Sequence, residues 1–249
     1  MQDANHQGLL TVLIPNHNYA QYIAEAVGSI VAQDYRPIEI IIVDDASSDN
    51  SVEAARAALD NADSLQRTEL IALRENRGKL GAINAALGHI GGEYLITLDA
   101  DDRLSPNYVA RCIETLRRGR LQNPNLGFVY TDCNLVDASG AVIDRGSSTA
   151  FDARLVERFS YLPEPAVMLS QAFLEVAPFD ESIRVATKHH KWKRVVGNGW
   201  DGSHLADPLF DYRMHDSIMS GIGRRVTAEI DDGKRGERIL SGYWATTSA

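Results

Sequence analysis

Cysteine is scarce in this sequence. The 249 residues include two cysteines, Cys112 and Cys133, and neither belongs to a CxxC pair. Disulfide frameworks and structural zinc sites both need several cysteines at defined spacings, so neither is expected here. A reducing compartment fits this composition. The core must then form from apolar side chains, and their share of 44% is enough for one large domain or two small ones.

Long apolar runs and a leader-like start are also missing. The longest apolar stretches, such as IEIIIV at 38–43, are far shorter than the roughly 20 residues that a membrane-spanning helix needs. The start, MQDANHQG, lacks the basic and then apolar pattern of a signal peptide. We therefore expect a cytoplasmic protein with at most peripheral membrane contact.

The chain also lacks an excess of positive charge. The chain has 25 Lys and Arg against 34 Asp and Glu, a formal net charge of −9, which argues against nucleic acid as the main partner. One segment departs from this balance, because Lys188 to Arg194 hold four Lys or Arg and two His within seven residues. We call these residues the basic block. It could be a nucleic-acid patch, a solvated helix face or part of a reaction centre.

The first hundred residues alternate between strand-like and helix-like patterns. Apolar runs predict strands at 9–14, 38–43, 69–73 and 94–98, and apolar residues at helical spacing lie between them. Asn50 and Glu53 are spaced as a capping box, and Gly91-Gly92 would close the third helix. This alternation predicts an α/β fold with a mainly parallel sheet and helices on both faces.

The second half is less regular. A helix is expected after Ser105-Pro106 and a strand at 126–132. We expect residues 134–165 to be rich in loops, with a turn at 137–140, and residues 224–249 to form a peripheral helix or tail.

Polar residues follow three of the predicted strands directly. Pro15 to Asn18 end the first strand, Asp44-Asp45 end the second, and LDADD ends the fourth. The carboxyl ends of parallel strands share one edge of a sheet, where ligands bind. Three carboxylates within four residues repel one another unless a cation joins them, and Mn²⁺ or Mg²⁺ prefers such oxygen ligands. A solvated acidic turn is the alternative, but the position straight after a buried strand favours a metal site.

Five segments in order resemble family 2 glycosyltransferases with the GT-A fold: TVLIPNHNYAQYIAEAVGSIVAQDY, IEIIIVDDASSDNS, ENRGKLGAINAAL, GGEYLITLDADDRLSPNYV and PLFDYRMH. Together they cover about residues 9 to 220. The resemblance implies metal-dependent, inverting transfer from a nucleotide-sugar donor, most often a UDP-sugar. The acceptor would be a glycan, a lipid-linked or a small molecule. It implies a donor-binding half at 1–104, an acceptor-binding half at 105–223 and the tail at 224–249.

The resemblance also implies roles for residues at the donor end. The base of the nucleotide would lie against Pro15, His17 and Asp45, and the loop of Asn76, Gly78 and Lys79 would lie near the donor. Plainer alternatives stay open, because His17 could be an ordinary loop histidine and Lys79 a surface lysine.

A second group of residues matches positions around the metal and diphosphate. Asp99 and Asp101 match the DxD motif, with Asp101 as the direct metal ligand and Asp99 facing ribose or metal. Asp102 matches a further acid that serves metal or sugar. His215 could complete the metal coordination and Arg213 could face the diphosphate. A core histidine and a salt-bridged arginine are the alternatives there.

The basic block is where the family pattern breaks. After VAPFDESI, the family usually carries an acidic pair, one member of which deprotonates the acceptor; here Thr187 and Lys188 take those places and His190 takes that of the next Asp. A positioned base contributes on the order of 10² to 10⁴-fold to such reactions. Lysine is a poor base at neutral pH, whereas His189 or His190 could substitute. A second alternative is that the protein binds the donor without transferring the sugar. A third is that the alignment of this segment to the family pattern has slipped by a few positions, and these residues lie on a solvated helix face. An adaptor for nucleic acid ranks last.

Overall fold

The protein is described by a computed structural model that covers residues 6–215 and the backbone of a short strand at 245–246. Strands and helices alternate in its first half: β1 (His6–Asn16), α1 (Ile23–Val31), β2 (Ile38–Asp44), α2 (Ser51–Leu59), β3 (Arg67–Ala72), α3 (Gly78–Ala85), a 3-10 turn (Leu87–His89) and β4 (Gly92–Thr97). The rest is more varied: β5 (Arg103–Leu104), α4 (Tyr108–Arg120), β6 (Leu126–Val136), β7 (Val142–Ser147), α5 (Ala153–Arg158), β8 (Val167–Leu169), α6 (Ser170–Leu174), α7 (Thr187–Gly197), β9 (Asp201–Arg213) and β10 (Ala245–Thr246).

One sheet joins both halves of the chain. Its order is β10-β7-β6-β8-β4-β1-β2-β3, and β9 pairs with both β6 and β5. Strands β3, β2, β1 and β4 are parallel, as is the long β6–β9 ladder, whereas the shorter pairings of β8, β7, β5 and β10 are antiparallel. The predicted α/β fold with a mostly parallel sheet is confirmed. The division into halves at 104/105 stays a prediction.

Helices cover both faces of the sheet. Ile40 and Ile42 of β2 belong to the core cluster that includes α1 and α4 on one face, and Ile41 and Val43 belong to the cluster that includes α3 and α7 on the other. Every residue of β2 is buried, which explains its β-branched apolar run, interrupted only by Glu39 before the strand ends at Asp44. The carboxyl ends of the parallel strands are thereby held at one rigid edge. In the range 6–215, no helix combines the length and the apolar composition needed to cross a bilayer.

Two predicted helix ends are wrong. The capping box does not form, because the Asn50 side chain makes no cap hydrogen bond; instead Asp49 Oδ1 accepts from the Ser51 N–H at 3.0 Å. The third helix ends at Ala85 and passes through a 3-10 turn, so Gly91 and Gly92 do not close it. Gly92 is instead the first residue of β4. A side chain at this position would collide with the backbone of β1, so glycine allows the two strands to pair closely.

The loop-rich prediction for 134–165 is also partly wrong. β6 continues to Val136 and pairs with β7, and α5 follows. The turn at 137–140 is confirmed, since Asp137 Oδ1 accepts hydrogen bonds from the backbone N–H groups of Ser139 and Ala141. Cross-strand pairing stabilises β7 although Val142 and Ile143 are exposed, so the strand has no apolar alternation to predict it. The predicted tail at 224–249 lies outside the described residues, apart from 245–246, which pair with β7.

Candidate active site

A cavity of about 330 Å³ opens at the carboxyl ends of β1, β2 and β4. This is the size of a small-molecule site, at the edge of the sheet where ligands bind. Eight of the residues singled out in the sequence line it: Pro15, His17, Asp45, Asn76, Gly78, Lys79, Asp99 and Asp101. Glu164 and residues 184–188, which include Thr187 and Lys188, form part of its wall as well.

Asp45 is fixed at one end of the cavity by loops that follow β1 and β3. Its side chain is buried, and its Oδ1 accepts a hydrogen bond of 2.7 Å from the Arg77 N–H. The Nδ1 atom of His17 lies 2.8 Å from the Asp45 carbonyl oxygen, so Nδ1 carries the proton. Asn76 Nδ2 lies 3.4 Å from the same carbonyl. The result is a rigid polar corner that can accept hydrogen bonds from a heterocyclic base.

Three carboxylates converge next to this corner. Each of Asp99, Asp101 and Asp102 contributes an oxygen, and these oxygens lie within 4.8 Å of one another. Burial, together with the negative charges of Asp101 and Asp99, raises the pKa of Asp102 well above its ordinary value. Its Oδ1 accepts from the Arg213 N–H at 3.0 Å, but the buried Oδ2 accepts no hydrogen bond from any described residue. Three carboxylates this close, one with an oxygen that accepts no hydrogen bond from a described residue, fit a hard divalent cation.

His215 and Arg213 differ in their relation to this cluster. His215 Nε2 lies 3.0 Å from Asp101 Oδ2, and its ring is in contact with those of Tyr19 and Tyr22. Arg213 is buried and does not line the cavity, contrary to the expectation that it faces a diphosphate. Its guanidinium donates to the Asp101 carbonyl oxygen at 2.8 Å, to Glu25 Oε2 at 2.7 Å and to the Ala138 carbonyl oxygen at 3.0 Å. These bonds fix the backbone of the acidic turn.

The histidines of the basic block lie away from the cavity. His189 Nε2 is 2.7 Å from the Val156 carbonyl oxygen, and the His190 ring packs edge-on against Phe179 at 6.4 Å. Burial and then the Arg194 charge lower the pKa of His190. Neither ring lines the cavity, because only Thr187 and Lys188 of α7 reach it and the next two side chains point to other faces of the helix.

The cations of the basic block do not form a patch. Lys191 is buried and donates to Glu164 Oε1 at 2.6 Å, whereas Lys193 pairs with Glu157 at 3.0 Å on another side of α7. Arg194 donates to the Pro178 carbonyl oxygen at 2.8 Å. A helix distributes consecutive residues around its axis, so a run of basic residues here contributes to several separate contacts.

Glu164 is a cavity residue that the sequence patterns did not reveal. It is 5% exposed, and its Oε2 lies 3.4 Å from Nζ of Lys79, which in turn contacts Asp99 Oδ1. Burial opposes the charged form of Glu164, but the Lys191 and Lys79 charges outweigh it and lower its pKa to about 2. Its one sequence signal is that it is the only charged residue in YLPEPAVML, between two prolines.

The sequence matches a known family over this same region. Residues 11–147, more than half of the chain, match the profile of Glycosyl transferase family 2. The chain belongs to this family. An uncharacterized glycosyltransferase of Rickettsia typhi is 29% identical over 98% of the chain and 74% of its own length. One from Nostoc is 33% identical over 56% of the chain, which spans 41% of that relative.

Solved structures with the same fold extend the family 2 comparison. The mannosyltransferase PcManGT of Pyrobaculum calidifontis, in complex with GDP-Man and Mn²⁺, gives a TM-score of 0.64 at 21% identity, covering 93% of this chain and 66% of that one. S. aureus TarS residues 1–349 in complex with UDP give 0.63 at 17% identity, covering 82% and 60%. At these identities the likeness concerns the fold, and it agrees with the GT-A fold that the resemblance implied.

Proposed function

We propose that this family 2 chain is a glycosyltransferase that moves a sugar from a nucleotide diphosphate donor, a UDP-sugar, to an acceptor hydroxyl with inversion. The supporting observation is that one cavity contains both the fixed Asp45 corner and the acidic cluster of Asp99 and Asp101. That pairing suits a ligand with a base at one end and a metal-bound diphosphate at the other. The neighbours solved with UDP and with GDP-Man and Mn²⁺ support the same donor chemistry.

The proposed donor would lie along the loop that begins α3. Asp45, His17 and Pro15 would hold the base. Gly78 has φ +73, a backbone conformation that favours glycine. A bare backbone can then lie close to the donor between the base and the acidic cluster.

Mn²⁺ or Mg²⁺ would be held by Asp99, Asp101 and Asp102, with His215 beside Asp101. When bound, such an ion supplies positive charge that stabilises the departing nucleoside diphosphate. Arg213 serves this site indirectly, because its hydrogen bond to the Asp101 carbonyl fixes the turn that carries the ligands.

The transfer step needs an acceptor hydroxyl oriented toward the anomeric carbon. A bond forms from the hydroxyl oxygen to that carbon as the bond to the phosphate oxygen breaks, and the hydroxyl proton leaves to a base. His189 and His190 do not line the cavity, and Thr187 and Lys188 stand at its wall. The absence of these histidines from the cavity supports a second candidate function, in which the protein binds a nucleotide sugar without transferring it.

Nucleotide release separates these two functions. The protein is incubated with Mn²⁺, UDP- or GDP-sugars and a set of glycan and lipid-linked acceptors; binding is measured by calorimetry. Donor binding with acceptor-dependent nucleotide release supports transfer. Binding without release for every acceptor supports the binding module, and no binding of any donor contradicts both.

Asp101→Ala tests the metal site within this proposal. We expect a loss of Mn²⁺-dependent UDP affinity of about 100-fold, because a charged ligand to the cation is removed. Asp63→Ala is the matched control, since Asp63 is an exposed loop aspartate outside the cavity. Equal UDP affinity of the two variants in the presence of Mn²⁺ would remove Asp101 from this role.

A further inference from the structure

Glu164 differs from the other carboxylates that line the cavity. Asp45 accepts from the Arg77 N–H, and Asp99 and Asp101 belong to the acidic cluster. Glu164 comes from the loop before β8 and belongs to neither group. The cavity therefore has one carboxylate that the proposed donor base and metal do not use.

A buried carboxylate is costly unless a cation compensates it. Lys191 meets that need, since it is 1% exposed and its Nζ donates to Glu164 Oε1 at 2.6 Å. The other oxygen, Oε2, accepts no hydrogen bond within residues 6–215 and has Lys79 Nζ at 3.4 Å. A carboxylate offers about four acceptor sites, so Glu164 keeps capacity for a further donor.

We propose that Glu164 accepts a hydrogen bond from a hydroxyl group of a sugar substrate in this cavity, and that Lys191 is the buried counter-ion that holds it in place. The inference rests on the proposed function. An ionised carboxylate with two lysine neighbours is a strong hydrogen-bond acceptor and a weak base, so its part is to bind and orient the hydroxyl. The sugar hydroxyl belongs either to the donor or to the acceptor.

The contacts also account for one member of the basic block. Lys191 lies about one turn after Lys188 on the same face of α7, where the helix has passed from the cavity wall into the core. There its ammonium group compensates the charge of the Glu164 carboxylate from the core side of the cavity wall. Removing Glu164 alone would leave Lys191 buried without that partner, so a loss of activity in Glu164→Gln could reflect misfolding.

The test therefore compares two variants that differ only at Glu164. These are Lys191→Met, which keeps the carboxylate with Lys79 beside it, and Glu164→Gln/Lys191→Met, which makes the pair neutral at nearly constant volume. Thermal unfolding monitors folding, nucleotide release monitors transfer, and calorimetry with Mn²⁺ measures the affinities for UDP and for UDP-N-acetylglucosamine or GDP-mannose. We expect the double variant to transfer about 10- to 100-fold more slowly than Lys191→Met at the same UDP affinity.

The affinities identify the source of the hydroxyl. A donor hydroxyl predicts weaker binding of the sugar nucleotide with UDP unchanged, whereas an acceptor hydroxyl predicts unchanged donor binding and a raised KM for the acceptor. Equal transfer rates for the two variants would overturn the proposal. So would a parallel loss of affinity for UDP and the sugar nucleotide, which a structural role predicts.

Glu164→Asp keeps the test decisive if Lys191→Met does not fold. The shorter side chain retains the charge opposite Lys191 but withdraws the oxygens by one methylene. Slower transfer at wild-type UDP affinity supports the proposal, and wild-type transfer contradicts it. If the wild-type protein binds UDP and UDP-sugars but releases no nucleotide, the proposed transfer fails, whereas the Glu164 proposal is then decided by sugar-nucleotide affinity alone.

Discussion

Side chains on one face of α7 pass from the cavity to the core over successive turns, and the two histidines lie on another face. Thr187 and Lys188 line the cavity, whereas Lys191 and Trp192 are buried three to four residues later. The two histidines lie between these positions and contact Val156 and Phe179. Adjacent residues of the basic block therefore have different environments, and residue type alone does not identify the one that meets substrate.

The variant His190→Ala tests whether this histidine takes part in the reaction. Because the His190 ring packs against Phe179 and does not line the cavity, we expect transfer and UDP affinity within about threefold of wild type. Nucleotide release and calorimetry provide the measurement, with the thermal midpoint as the control for folding. A loss of transfer exceeding about tenfold, with the midpoint and UDP affinity preserved, would restore His190 as a candidate base.

Glu164 also predicts a pH dependence of stability. Its pKa is lowered from 4.5 to about 2 in the folded protein, so its contribution is complete above about pH 4.5 and is lost as the pH falls toward 2. We expect the free energy of unfolding of the wild type to fall relative to Glu164→Gln/Lys191→Met by about 1 to 3 kcal/mol across that range. Urea unfolding at several pH values measures the difference, and a constant difference would contradict the shift.

At the scale of elements, strands with a continuous apolar run were predictable and strands without one were not. The parallel strands β1, β2 and β4 were found from apolar runs, which burial on both faces requires. The edge strand β3 was found from the run ELIAL although none of its residues is buried. β7 has two exposed apolar residues and depends on pairing with β6, and α5 spans only six residues. Their stability comes from neighbours distant in the chain, which local patterns do not contain.

Gly92→Ala tests the contact between β1 and β4. A Cβ at this position would lie 2.7 Å from the Leu9 carbonyl oxygen and the Thr11 nitrogen, and such backbone atoms cannot move aside without disturbing the sheet. We expect the free energy of unfolding to fall by about 1 to 3 kcal/mol.

Gly88→Ala is the matched control for that substitution. An added Cβ at Gly88 meets nothing within 4 Å, and the residue lies in the exposed 3-10 turn that precedes β4. Urea unfolding compares the two variants with wild type. Equal stability of Gly92→Ala and Gly88→Ala would show that β4 can shift away from β1 at little cost.

At the scale of the whole molecule, a bound donor nucleotide should stabilise the fold. The cavity is lined by β1, by loops that follow β2, β3 and β4, and by the start of α7, so a ligand there connects elements from both halves. UDP at 100 times its Kd in the presence of Mn²⁺ contributes about 2.7 kcal/mol, which corresponds to an increase in Tm of roughly 5 to 10 °C.

Differential scanning fluorimetry measures that increase. EDTA in place of Mn²⁺, and the Asp101→Ala variant, are the controls for dependence on the cation. An increase of the same size in both controls would mean that UDP binds without the acidic cluster.

The sequence by itself determined the alternating parallel core, the edge of the sheet where the cavity opens and the acidic cluster after β4. It could do so because buried strands and DxD-type clusters depend on residues that are close together in the chain. The position after parallel strands also predicted that Pro15, His17 and Asp45 share this edge, and the family resemblance added the loop at 76–79; all of them line the cavity.

Only the tertiary structure decided which polar groups meet across the cavity. It turned Arg213 away from the cavity and toward the Asp101 carbonyl, left the histidines of the basic block outside, and placed Glu164 between Lys79 and Lys191. These contacts join residues that are from 27 to more than 100 positions apart. Helix rotation and loop placement set them, and neither is encoded by spacing within one segment of the chain.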